Sequence, residues 1–87
     1  MSKIKAAVCH QFTRPLQIET VVLRSPLPKK IEVQLGAVAI CHSDIAFAEG
    51  LWGGDLPAVY GHEAAGVVTE IGASVRGICV GDHVIIT

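Results

Sequence analysis

Aromatic and charged side chains are both scarce in this 87-residue chain, at 5% and 17% of the residues. The net charge is -1 and the basic residues form no cluster, so the chain offers neither a stripe that follows phosphates nor a platform on which bases stack. No apolar run approaches the roughly 18 residues that a membrane span requires. We therefore expect no nucleic-acid or membrane partner. We also expect a cytoplasmic protein, since the charges near the N-terminus do not fit a signal peptide.

The chain has only three cysteines, an odd number. Cys9, Cys41 and Cys79 are widely spaced in a chain without a secretory signal, which argues against a disulfide framework and for reduced thiols. A cysteine with a special role would then be a nucleophile or a metal ligand.

The spacing of the apolar residues predicts a mostly β domain. Strand-like segments span residues 3–12, 16–23, 30–40, 60–72 and 82–87. In the third segment Val33 and Leu35 share one face, and Gly36 predicts a bulge or a close approach. A short helix is predicted after it, with Ser43 or Asp44 as its cap and Gly50 just past its end. Many short strands broken by glycines favour a small barrel or sandwich.

Apolar residues make up 51% of the chain, which is high for a domain with so few charges. We expect another domain or subunit to cover part of this surface. The chain also stops at Thr87 inside an apolar run, so we interpret residues 1–87 as the N-terminal portion of a longer polypeptide.

The side chains that can carry chemistry fall into two clusters 21 residues apart. Cys41, His42 and Asp44 form the first, and His62 and Glu63 the second. Spacing alone is weak evidence for a metal site, because distant clusters share an ion only if the fold joins them. Cys41 fits equally well as a small buried residue, and His62 as a hydrogen-bonded histidine. Glu63 is harder to explain in this way, since a carboxylate in an apolar run needs a partner. We expect the small flanking residues to keep this pair dry.

Three segments resemble the zinc-containing alcohol dehydrogenases, a family of medium-chain dehydrogenases and reductases. They are AICHSDIAFAEG at 39–50, GHEAAGVVTEIGASV at 61–75 and VGDHVI at 80–85. The first is similar to the family's Cys-x-[Ser/Thr]-Asp segment and the second to its G-H-E-x-x-G signature. The third is similar to its G-D-R-V segment, with His83 in place of arginine. The resemblance implies a GroES-like, partly open β-barrel with one or two short helices, and an α/β Rossmann domain elsewhere in the parent protein.

The resemblance also implies a catalytic zinc site. Cys41 and His62 look like two of its three protein ligands, with the third ligand beyond residue 87 in relatives. Glu63 resembles the residue that approaches the zinc transiently. Asp44 resembles the carboxylate that accepts the free ring N–H of the ligand histidine. Cys79 could supply the third ligand, but its strand-like setting favours core packing, as does that of Cys9.

Further roles follow from the same resemblance. Ser43 is similar to the hydroxyl that contacts the substrate oxygen, and His42 to the basic residue near the cofactor pyrophosphate. Ala46 stands where several alcohol dehydrogenases have a relay histidine, so water or His42 would have to take the proton out. Phe47 and Trp52 could line the substrate cleft or could simply pack.

The implied function is NAD(P)-linked oxidation of a primary or secondary alcohol to an aldehyde or ketone. Zinc and NAD or NADP are the implied cofactors, a small alcohol or aldehyde is the implied partner, and the full-length enzyme is expected to be a homo-oligomer. No G-x-G-x-x-G follows a strand here, so we expect the 87 residues alone to be inactive.

Two alternatives remain open. A zinc-free, quinone reductase-like member of the superfamily would typically lack the equivalents of Cys41 and His62. A non-enzymatic GroES-like binding module would give no reason for the two clusters.

Overall fold

The computed structural model describes residues 2–87, which form five strands and one helix. In chain order these are β1 Ser2–Val8, β2 Gln17–Leu23, β3 Ile31–Val38, α1 His42–Ala48, β4 Ala64–Ile71 and β5 His83–Ile86. β1 and β2 form one antiparallel sheet, and β3, β4 and β5 form a second in that order. The predicted mostly β fold with a short helix is confirmed. Within residues 2–87 the two sheets are open and close into no complete barrel. No helix in this range is long and apolar enough to span a membrane.

Gly36 interrupts β3 as predicted. The register between β3 and β4 shifts across this residue, and it shifts again between Glu32 and Val33. Val33 is half-buried, but Leu35, which should share its face, is 52% exposed. The alternation therefore predicted the strand correctly, while only part of the expected apolar face is covered.

Two glycines, in β4 and just after it, lie where backbone segments touch. A Cβ atom added to Gly66 would lie 2.2 Å from the carbonyl oxygen of Gln34, across the β3–β4 pair. One added to Gly72 would lie 2.1 Å from the carbonyl oxygen of Leu27. Both distances are far inside van der Waals contact, so the close packing of β4 requires glycine at these positions.

The buried core is small. Among residues 2–87 its buried apolar side chains are Val8, Cys9, Ala46 and Val68. Many large apolar side chains remain on the surface, among them Ile40 at 81% and Ile85 at 78% exposure. This exposure agrees with the expectation, drawn from composition, that part of the surface is meant to be covered.

The N-cap of α1 lies two residues before the first of the two predicted caps. Cys41 is the N-cap, and both Ser43 and Asp44 lie inside the first turn, so the prediction that one of them caps the helix is wrong. Asp44 instead reaches back, and its Oδ2 accepts a hydrogen bond of 3.1 Å from the backbone N–H of Cys41. This is the backward half of a capping box, and the carboxylate also suits the positive end of the helix. Gly50 follows the end of α1 with φ of +77°, as predicted.

Candidate metal centre

The two clusters of chemically competent side chains meet at one end of the three-stranded sheet, where β3 ends and β4 begins. Cys41 follows β3, whereas His62 and Glu63 come directly before β4. Because β3 and β4 are antiparallel neighbours, the end of one lies beside the start of the other. The N–H of Ala39 donates to the carbonyl of Glu63 at 3.0 Å, which extends this pairing beyond the strands. The backbone thus brings together residues that are 21 positions apart.

Three potential ligand atoms converge there. The Sγ of Cys41, a ring nitrogen of His62 and a carboxylate oxygen of Glu63 all lie within 4.8 Å of one another. A thiolate, an imidazole and a carboxylate are all ligands that zinc accepts. The donor set therefore fits the metal that the family resemblance implies.

Asp44 determines which nitrogen of His62 is available. Its Oδ1 lies 3.3 Å from Nδ1 of the imidazole. When Nδ1–H donates this hydrogen bond, Nε2 carries the lone pair. Nε2 lies 3.4 Å from Oε1 of Glu63. A lone pair facing a carboxylate oxygen is unfavourable unless a proton or a cation lies between them, so the pair suits a positively charged occupant.

The surroundings of the centre raise the pKa of His62 and lower the pKa of Cys41. Partial burial lowers the pKa of His62. The hydrogen bond to Asp44 and the negative charges of Asp44, Cys41 and Glu63 outweigh it, so the pKa lies above the ordinary 6.5. Hydrogen bonds from the side chain and backbone of Ser43 lower the pKa of the Cys41 thiol below its ordinary 9.0, against burial and the charge of Glu63. The thiolate, which is the metal-binding form of cysteine, is therefore favoured.

The centre is open to solvent. The side chains of His62 and Glu63 are 47% and 48% exposed, while Asp44 is 15% exposed. Within residues 57–68 only Val68 is buried. The expectation that small apolar neighbours keep the pair dry is wrong for this chain, because residues 57–63 form an irregular segment at the surface before β4 and not part of the core.

The other residues singled out in the sequence differ in how far they are buried. Ser43 is half-buried beside the sulfur of Cys41, and His42 is exposed in the first turn of α1. Cys9 is 1% exposed, which confirms its predicted core position. Cys79, for which core packing was also predicted, is exposed, because it begins a turn and not a strand. All three cysteines are free.

Tyr60 is a neighbour of the centre that the sequence analysis missed. Its ring stacks on Phe47, with 5.7 Å between the ring centroids and 14° between the planes. Trp52 meets Phe47 edge-on at 4.8 Å and 81°, so Phe47 and Trp52 pack against each other. The sequence feature that could have indicated this role is a large aromatic residue two positions before His62, within a run of small residues.

The fold, with the metal-competent centre at one end of its sheet, is that of a GroES-like domain, and comparison with known proteins agrees. The family described as "Alcohol dehydrogenase GroES-like domain" matches residues 27–87. The chain belongs to this family.

Individual relatives agree with this assignment. S-(hydroxymethyl)glutathione dehydrogenase of Candida maltosa is 39% identical over 82 residues, which cover 93% of this chain and 22% of that protein. The crystal structure of an alcohol dehydrogenase zinc-binding domain protein from Burkholderia ambifaria has a TM-score of 0.91 at 35% identity, covering 94% of this chain and 22% of the other. Escherichia coli quinone oxidoreductase complexed with NADPH has a TM-score of 0.81 at 31% identity, covering 95% and 26%.

Proposed function

We propose that this chain is the N-terminal catalytic-domain portion of a zinc-dependent, NAD- or NADP-linked alcohol dehydrogenase. The parent protein would oxidise a primary or secondary alcohol to an aldehyde or ketone. The observation that carries the proposal is the convergence of Cys41, His62 and Glu63 within 4.8 Å. Family membership adds support, since the relatives that match this chain include dehydrogenases.

Cys41 and His62 would hold the zinc ion. The ion, when bound, would act as a Lewis acid that polarises the substrate oxygen. Asp44 keeps Nδ1 of His62 hydrogen-bonded, which fixes the ring and leaves Nε2 as the ligand atom. Glu63 lies close enough to approach the ion and withdraw again. We place the third protein ligand in a part of the parent protein outside residues 2–87.

Alcohol oxidation removes a proton from the hydroxyl group and a hydride from its carbon. In the proposed reaction Oγ of Ser43, beside Cys41, accepts the hydroxyl proton. Ser43 can then pass its own proton to water or to His42, which is exposed in the same helical turn. Ala46 stands at the position of the relay histidine in several alcohol dehydrogenases, and its methyl group cannot accept a proton, so the proton would leave by another route. A nicotinamide cofactor held by another domain would accept the hydride, since these residues carry no dinucleotide fingerprint.

The similarity to the Escherichia coli quinone oxidoreductase favours a second candidate. In this second candidate the parent protein is a reductase that uses no zinc, and the domain only shapes its substrate pocket. This candidate leaves the thiol, imidazole and carboxylate of the centre without a role.

The test is an assay of the full-length protein on a panel of primary and secondary alcohols, followed through formation of NADH or NADPH. Cys41→Ser and His62→Ala should each lower the rate at least about 100-fold, because losing a ligand should cost no less than losing the partner of one. Cys79→Ser and His83→Ala are the matched controls and should keep the activity. If no alcohol is oxidised with either cofactor while a quinone is reduced, the second candidate replaces the first.

A further inference from the structure

The ligands of the candidate centre are carried by two separate segments of the chain. Cys41 and Asp44 belong to α1 and its cap, whereas His62 belongs to residues 58–63, which lead into β4. Asp44 joins the two segments through a single hydrogen bond of 3.3 Å to a half-exposed ring. A bond of this length and exposure contributes little on its own. The backbone pairing of Ala39 with Glu63 joins the two segments at their base, so any further control of their separation must come from other side-chain contacts between them.

A second contact runs beside the first. Asp44 and Phe47 are three residues apart in α1, so their side chains lie on the same face of the helix. Tyr60 and His62 are two residues apart in the facing segment. Asp44 meets His62, and Phe47 meets Tyr60 in a stack with ring centroids 5.7 Å apart. The helix face and the segment are thus joined at two adjacent points, one polar and one aromatic.

Both sides of the stack are anchored to the rest of the domain. Cys9 and Ala58 exchange backbone hydrogen bonds of 2.7 and 2.9 Å, which fix the segment that carries Tyr60 to the end of β1. The N–H of Thr13 donates to the carbonyl of Ala48 at 2.9 Å, which fixes the end of α1. The edge of Trp52 against Phe47 further restricts that ring. The stack is thus an aromatic side-chain contact between two anchored elements.

We propose that the stack of Phe47 on Tyr60 positions the metal ligands, by setting the separation between α1 with Cys41 and the segment with His62. In this role both aromatic residues act through the ligands and not on the ion itself. The inference rests on the proposed function, in that Cys41 and His62 hold the ion.

Cobalt binding to the full-length protein tests this role without an activity assay. Co²⁺ bound by a thiolate gives charge-transfer and d–d absorption bands that report the geometry of the ligands. Tyr60→Leu removes the stacking ring and should weaken Co²⁺ binding about ten-fold and alter the d–d bands. Tyr60→Phe keeps the ring and should restore both properties to within about two-fold of the unsubstituted protein. Val59→Ala, next to Tyr60 and 60% exposed, is the control and should change neither.

The possible results separate this inference from the proposed function. If Tyr60→Leu folds, as judged by circular dichroism, and keeps the original affinity and spectrum, the stack does not position the ligands. If the unsubstituted protein shows no thiolate-to-cobalt band, the proposed metal site is absent and the positioning role fails with it. If Tyr60→Leu does not fold, Phe47→Leu removes the opposite ring instead. The Co²⁺ affinity and the d–d bands of that variant then decide between the same outcomes.

Discussion

Asp44 hydrogen-bonds with each of its two carboxylate oxygens to a different part of the candidate centre. Its Oδ1 lies 3.3 Å from Nδ1 of His62, and its Oδ2 accepts the backbone N–H of Cys41 at 3.1 Å. One side chain thus orients the imidazole and fixes the start of the helix that follows the thiol. The arrangement leaves Nε2 of His62 facing Glu63.

Asp44→Asn should lower the pKa of His62 in the metal-free protein, because it removes the charge and the carboxylate hydrogen bond that raise this pKa. It should also weaken zinc binding about 10- to 100-fold. NMR titration of the ring and competition with a chelator measure the two effects. Asp82→Asn is a matched control, since Asp82 likewise accepts the backbone N–H of a cysteine three residues before it, Cys79 at 2.8 Å. An unchanged His62 pKa in Asp44→Asn would show that the contact is incidental.

Ser43→Ala should raise the pKa of the Cys41 thiol towards its ordinary value, since the side chain of Ser43 is the largest single influence that lowers it. The backbone N–H of residue 43 remains, so part of the lowering should persist. Ultraviolet absorbance of the thiolate against pH measures the change in a Cys79→Ser background, which removes the exposed thiol. Ser74→Ala is the control. An equal pKa of the Cys41 thiol in Ser43→Ala and Ser74→Ala would contradict the role of the Ser43 side chain in lowering it.

The metal-free protein should lose stability from His62 as the pH rises. The folded-state pKa of this residue lies above the ordinary 6.5 of the unfolded chain, so the protonated ring stabilises the fold. The contribution is complete below that ordinary value and disappears as the pH passes through the raised pKa. The unfolding free energy of the unsubstituted protein relative to His62→Gln should therefore fall with pH above 6.5. His83→Gln is the control, and a difference that grows with pH would have the wrong sign.

Gly66→Ala should destabilise the domain by about 1–3 kcal/mol, the usual cost of overpacking. The added methyl would lie 2.2 Å from the carbonyl oxygen of Gln34, so β3 and β4 would have to separate. Gly36→Ala is the matched control in the same sheet, because its nearest neighbour would be an oxygen at 3.7 Å. Urea unfolding compares the two variants, and equal midpoints would show that the sheet accommodates the methyl at residue 66.

The strands and the helix could be predicted from local patterns, because alternation and glycines act over a few residues, although the residue that caps the helix was predicted wrongly. The pairing of β3 with β4 could not. It depends on contacts between residues far apart in sequence, and it is this pairing that brings Cys41 to His62. For the centre, residue spacing gave only weak evidence, and the resemblance to a family supplied the expected ligands.

Burial was the least predictable property. Cys79 lies in a turn, and residues 57–63 around His62 form an irregular surface segment, so neither is buried. An apolar residue is buried only if another layer covers it, and composition does not locate that layer. The stack of Tyr60 on Phe47 was missed for the same reason, since it joins a helix to a segment whose position depends on the Cys9–Ala58 bridge.

The central claim is that Cys41 and His62 bind zinc, and metal stoichiometry tests it most directly. Zinc content should be measured on the purified full-length protein, with Cys41→Ser beside Cys79→Ser. The account predicts that Cys41→Ser lowers the zinc content by one ion per chain, while Cys79→Ser leaves it unchanged. Equal zinc content in the unsubstituted protein and in Cys41→Ser would contradict it.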